Sequence, residues 1–244
     1  MAQAELLWAE LDVAWQAAFA MAWEAAATGN IGVGAVVSDE AGAIVTAARN
    51  RVSDRDAPSG QIAGSSLAHA EINVLARLPY RSERTLTLTT TVRPCLQCAA
   101  AIRMAPIATV RVAGDDPLWR GCDDFTGLSD RLARRGRVPS TGPRRDEIAT
   151  FATLIARAGP SLIPHVEEEL LGLGEAPIIE LVQRIEGDGT LAELLRGPVD
   201  KAFAHLWPHL VDATPAHRGG DPAGRGGPNR SSRLPRPEPD PSDP

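Results

Sequence analysis

The stretch His69-Ala70-Glu71-Ile72-Asn73-Val74-Leu75, followed by Thr85-Leu86-Thr87-Leu88-Thr89-Thr90-Thr91-Val92 and then Pro94-Cys95-Leu96-Gln97-Cys98, decides how the chain folds. It reads as a short helix, a strand and a second helix. Ile72, Val74, Leu75 and Leu78 form the apolar side of the first helix, which ends before Pro79. Thr85–Val92 is β-branched and predicts a strand. Glu71 stands two residues from His69, so their side chains would diverge in mid-helix and converge only beyond a helix end, which puts both in the first turn. Cys95 and Cys98 are three apart, share a face and follow a proline suited to a helix start. Two helix N-termini therefore point at one place, where their dipoles favour a thiolate. One imidazole and two thiols make three soft ligands for a divalent metal. Zinc held by three protein ligands keeps a fourth position for water, the arrangement of a catalytic rather than a structural site.

Working outward, residues 4–28 place Leu7, Leu11, Trp15, Ala18, Phe19 and Ala22 at helical spacing and predict one helix that stops at Gly29. Ile31–Ser38 is a short apolar run, hence a buried strand, and Glu40-Ala41-Gly42 turns the chain into a second strand, Ala43–Arg49. Residues 52–65 collect Asp, Pro, Gly and Ser, an irregular loop and a candidate lid ahead of His69. Helix Cys95–Met104 and strand Thr109–Ala113 follow the opening stretch. The alternating order implies an α/β class with a sheet covered on both faces.

Further on, a helix is expected over Asp123–Arg134, near Arg135 and Arg137. Others are expected at Arg145–Ala158, closed by Gly159-Pro160, at Leu162–Leu171, Pro177–Ile185 and Leu191–Leu195, and around Val199–Leu206. Thr190 with Glu193 three later reads as a capping box. These runs suggest residues 1–144 as one domain and 145–212 as an all-helical extension. The tail 213–244, with eight prolines and five glycines, is expected to be disordered because it has almost no large apolar residue to bury.

The chain of 244 residues can bury a sizeable core. Three cysteines, two of them in C-x-x-C, give no even disulfide framework, so a reducing, cytoplasmic setting is expected. Glu5, Glu10 and Asp12 interrupt the N-terminal apolar stretch, so neither a signal peptide nor a membrane span is expected there. Residues 1–144 carry 15 basic and 15 acidic side chains, and residues 145–212 carry 5 and 12. Neither part offers the basic footprint that nucleic-acid binding requires.

His-Ala-Glu followed by Pro-Cys-x-x-Cys resembles the zinc-dependent cytidine/nucleobase deaminase superfamily, in its branch of tRNA adenosine deaminases, guanine deaminases and cytosine deaminases. Gly34-Ala35-Val36-Val37, Asn50-Arg51 and Ala99-Ala100-Ala101 support the likeness, which runs to about residue 125. The resemblance implies a three-layer α/β/α sandwich with a mixed sheet and a homodimer. It also implies zinc on His69, Cys95 and Cys98, Glu71 as proton shuttle, Asn50 bonded to the substrate base and the Ala70 N–H meeting the base edge. Bound zinc lowers the pKa of water to about 7. Hydroxide would then attack the amino-bearing ring carbon while Glu71 carries its proton to the ring nitrogen and the departing amine.

Plainer readings stand beside these. His69 is the one histidine before His165, and its joint placement with Glu71 and two cysteines sets it apart from a satisfied helix histidine. Asn50 is equally a turn residue after a strand. Asp115 and Trp119 follow the fourth strand, where α/β sheets place ligands, and read equally as an acidic turn and a packed indole. Cys122 reads as a small buried hydrophobe. His205 and His209 have metal-pair spacing, but Pro208 is expected to interrupt their helix. Arg93 stands where the tRNA enzymes usually carry glutamate, and Gly32 where they usually carry proline. The expected activity is therefore hydrolytic deamination of a free nucleobase or nucleoside, without a nucleic-acid or membrane partner. The alternatives are tRNA adenosine deamination and a catalytically idle zinc module whose helical extension binds a partner.

Overall fold

The computed structural model describes residues 2–80, 84–142, 144, 146–159 and 164–214. Its ten α-helices within those residues are α1 (Ala2–Ala9), α2 (Val13–Ala27), α3 (Ala70–Leu75), α4 (Leu96–Met104), α5 (Asp130–Arg135), α6 (Glu147–Arg157), α7 (Pro164–Gly172), α8 (Ala176–Gly187), α9 (Thr190–Leu194) and α10 (Val199–Ala213). The strands are β1 (Gly34–Ser38), β2 (Ile44–Arg49), β3 (Leu86–Val92), β4 (Ile107–Gly114) and β5 (Ser140–Thr141), in the order β2-β1-β3-β4-β5. β1 runs antiparallel to both β2 and β3, and β3, β4 and β5 run parallel. The sheet is thus mixed, with α2 and α6 on one face and α3 and α4 on the other. This is a three-layer α/β/α sandwich, with further helices following α6.

Alternation along β1 distributes its side chains between the layers. Ala35 and Val37 join Val74 of α3 and Ile102 of α4, while Val36 packs on Ala14 and Ala18 of α2. Gly34 permits α2 to lie close on the strand: a Cβ there would come within 2.1 Å of the Ala18 carbonyl oxygen. The largest apolar cluster joins Trp15, Phe19 and Trp23 to Phe151 and Ile155 of α6, Leu181 and Val182 of α8, and Phe203 and Leu206 of α10. Packing is therefore continuous between residues expected as domain and residues expected as extension. Trp23 adds a bond from Nε1 to the Gly197 carbonyl at 3.0 Å.

Several elements differ from expectation. The single helix over 4–28 is two, because the Asp12 carboxylate accepts from the Ala14 and Trp15 N–H groups and starts a new helix. The helix expected over Asp123–Arg134 shrinks to α5, whose Ser129 side chain caps Leu132 N–H. β5 is too short for any periodicity to reveal. Thr190 opens no capping box: Gly189, at φ +81°, is the cap of α9. Pro208 does not interrupt α10, which runs to Ala213. An interior proline costs about 3 kcal/mol, but Phe203, Leu206, Trp207 and Leu210 are buried on either side of it, at about 1.5–3 kcal/mol each. The expected start at Arg145, the Pro160 stop, Leu162, and the tail beyond Thr214 lie outside the described residues.

Candidate active site

His69 caps the N-terminus of α3, with Glu71 in its first turn, and Cys95 caps α4 with Cys98 one turn in. Neither His69 nor Cys95 uses its side chain to cap its helix, so both are free to point outward. The His69 Nδ1 lies 3.5 Å from Cys95 Sγ and 3.4 Å from Cys98 Sγ. All three ligand atoms fall within 4.8 Å of one another. Tetrahedral zinc, with bonds of about 2.0–2.1 Å to nitrogen and 2.3 Å to sulfur, requires such atoms to be about 3.5 Å apart. The donor set therefore fits zinc in chemistry and in spacing.

Glu71 is 3% exposed and brings Oε2 to 3.4 Å from Cys98 Sγ. Its Oε1 lies 3.1 Å from the Thr90 hydroxyl on β3. Burial pushes the Glu71 carboxyl above the usual carboxylate range. The Cys95 thiol is drawn down to about 4, first by the hydrogen bond from Cys98 and then, against burial, by His69. Cys98 is correspondingly pushed up, by that same bond and by its burial. His69 is raised, chiefly by its hydrogen bond with Cys95 and by the nearby Glu71 charge. The four side chains are electrostatically coupled, each shifting the titration of its neighbours.

Ala70 is fully buried as the first residue of α3, where its N–H has no partner within the helix. Asn50 is buried at the exit of β2, with Oδ1 accepting from the Val52 N–H at 3.0 Å. The next residue, Arg51, donates its N–H to Ala68 O at 2.9 Å, which ties this turn to the residue preceding His69. The structure thus brings Asn50 and Ala70 to the same end of the sandwich as the ligands. Asp115 is engaged by Arg93 at 2.6 Å and by Arg120 at 2.7 Å. Trp119 lines a cavity together with Pro94 and Cys122, whose Sγ approaches the Pro94 carbonyl at 3.5 Å.

Sequence reasoning missed three contributors. Thr90 was indistinguishable from its neighbours in a threonine run; its even spacing from Leu86 and Leu88, on the face beneath α3, was the available signal. The loop before His69 is pinned rather than free: Asp54 binds Arg49 and Arg51 at 2.8 Å each and accepts from Asn30 at 2.6 Å. Asn73 also receives the Ile62 N–H at 2.8 Å. Asp116 and Glu175 hold the buried Arg157 between them, joining the turn after β4 to the start of α8. His205 is exposed and His209 borders a surface groove with Glu180, Arg184 and Asp212.

Residues 10–113 match the family model described as the cytidine and deoxycytidylate deaminase zinc-binding region. That span contains His69, Glu71, Cys95 and Cys98. No curated protein matches the chain. Among solved structures, it is similar to a tRNA deaminase of A-to-I editing at the wobble position of transfer RNA, at 24% identity over 52% of this chain and 96% of that one, with TM-score 0.41. A guanine deaminase from Nitrosomonas europaea is 19% identical over 59% and 81%, TM-score 0.40. A dCMP deaminase from the cyanophage S-TIM5 is 22% identical over 52% and 94%, TM-score 0.33. No helix among the described residues is long and apolar enough to cross a membrane.

Proposed function

With residues 10–113 matching the zinc-binding region of the cytidine and deoxycytidylate deaminases, we propose that this chain hydrolytically deaminates a free nucleobase or nucleoside. The observation that carries the reading is the buried Glu71 carboxyl beside a three-ligand set, 3.4 Å from Cys98 Sγ. His69, Cys95 and Cys98 would hold the metal. Bound zinc supplies Lewis-acid activation, which makes water nucleophilic near neutral pH.

The rest of the reaction falls to the chain's own groups. Glu71 takes a proton from the attacking water and places it on the ring nitrogen next to the reacting carbon. As the C–N bond breaks, Glu71 takes the proton of the newly added hydroxyl and delivers it to the amine, so that ammonia leaves and the ring keeps a carbonyl. A carboxyl raised by burial suits both tasks, because its two protonation states lie closer in energy near neutral pH. The Ala70 N–H and the Asn50 amide would orient the ring edge, and Thr90 would hold Glu71 in place. Asp115, ion-paired with Arg93 and Arg120, and Trp119, on the wall of a neighbouring cavity, are proposed to border the substrate from the turn after β4.

The three unpaired thiols suit a reducing compartment. Ammonia release from a panel of purine and pyrimidine bases and nucleosides, with zinc-loaded protein, tests the proposal and identifies the ring together. A homodimer is proposed from the resemblance alone, with sedimentation velocity as its test.

A further inference from the structure

Outside the site just described, a cavity of about 40 Å³ lies between α4, β4 and the segment after Trp119. Pro94, Ile102, Val110, Val112 and Val138 give it a mainly apolar wall. Into that wall is set Arg103, in the last turn of α4. The residue is 4% exposed, and neither Nη1 nor Nη2 has a hydrogen-bond partner. A guanidinium cannot shed its proton, so a permanent cation is covered from solvent with nothing to neutralise it. Proteins rarely tolerate that arrangement, because the desolvation of the charge is uncompensated.

The surroundings deepen the imbalance. Arg84 donates Nη2 to the Arg103 carbonyl. Burial, followed by the mutual repulsion of Arg84, Arg103 and Arg135, holds Arg84 and Arg103 below the usual arginine range. No carboxylate pairs with any of the three among the described residues. The one carboxylate on the cavity wall, Asp123, is engaged by Arg137 at 2.9 Å. The cavity thus carries one unpaired guanidinium on its wall, Arg103, with Arg84 and Arg135 near enough to repel it. Its volume corresponds to about three water molecules, the size class of one small oxyanion and too little for a nucleobase.

We propose that this cavity binds a single phosphate group, either free or carried by a small nucleotide, through the guanidinium of Arg103. The arginine fork matches two phosphate oxygens at once, and Arg84 and Arg135 add positive field from outside the wall. Arg103 follows Cys98 by five residues on α4, about 7.5 Å along the helix. An occupied site would therefore steady the helix that carries both thiols.

The test is calorimetric titration of the zinc-loaded full chain with inorganic phosphate at fixed ionic strength, alongside the unfolding midpoint. The proposal expects saturable binding of about one phosphate per chain and a rising midpoint. Arg103→Met, folded by circular dichroism and with unchanged zinc content, should weaken binding at least about tenfold. Val138→Trp, which fills the cavity from the opposite wall, should do the same and decides the matter if the arginine variant does not fold. A second arm uses a nucleoside 5′-monophosphate and its parent nucleoside. Tighter, Arg103-dependent binding of the monophosphate than of free phosphate assigns the nucleotide source. No saturable binding of either phosphate, or binding that survives in a folded Arg103→Met or Val138→Trp protein, overturns the proposal.

Discussion

The Thr90 hydroxyl lies 3.1 Å from Glu71 Oε1 and 3.2 Å from the Val92 carbonyl oxygen. A hydroxyl has one hydrogen, and a carbonyl can only accept. When Thr90 donates to Val92, Glu71 must be protonated to bond Thr90; when Thr90 turns to Glu71, the ionised carboxylate accepts. Both protonation states of Glu71 therefore find a partner, a property a proton carrier requires.

Replacing Thr90 by valine keeps the shape and removes that adaptable bond. The expected outcome is an unchanged zinc content and a kcat lowered about tenfold or more, the scale of one hydrogen bond to a charged group. Steady-state ammonia release measures it, and an unchanged kcat would show that Thr90 does not position Glu71.

Phe151 of α6 touches Trp8, Phe19, Trp23 and Phe203, with ring centroids 5.2–6.3 Å apart. Phe151→Ala should cost about 3–5 kcal/mol and keep a single urea transition, since one cluster joins α2, α6 and α10. Two separate transitions in the unsubstituted protein would mean that the C-terminal helices fold on their own.

Burial works to raise the Asp54 carboxyl, yet donors from Arg49, Asn30 and Arg51 outweigh it and hold the group below its ordinary value. A folded pKa below the unfolded one contributes stability that is full above the unfolded value, near 3.9, and is lost as pH falls toward the depressed folded value. Acid should therefore loosen the loop before His69 only below about pH 4. Asp54→Asn should remove this part of the pH dependence of the unfolding midpoint. An identical acid profile in the variant would contradict the assignment.

Transfer RNA should bind weakly or not at all at low salt, because residues 1–144 balance 15 basic against 15 acidic side chains and residues 145–212 are acidic. Filter binding across a salt series checks this. A steep counterion slope would favour tRNA adenosine deamination over a free base or nucleoside.

The metal set was readable because zinc imposes residue type and spacing together: a histidine at one helix start and Cys95 with Cys98 at another satisfy a local rule. The strands were readable as well, through β-branched residues in β3 and a short apolar run in β1. What escaped depended on distant partners. Asp12 splits the first helix by capping its second half, and Pro208 is carried inside α10 by buried neighbours on both sides. The continuity of Trp15, Phe151 and Phe203 in one cluster is set by tertiary packing that no local period records. The pairing of Asp115 with Arg93 spans 22 residues, and nothing at either position announces it.

The most direct test of the central claim is ammonia release from a panel of free bases and nucleosides, measured for the zinc-loaded chain beside Glu71→Gln at equal zinc content. The account predicts turnover of at least one ring by the unsubstituted protein and loss of that turnover in the variant, with about one zinc per chain retained in both. Equal rates in the two proteins would contradict Glu71 as the proton carrier, and no release across the panel would contradict the deaminase assignment itself.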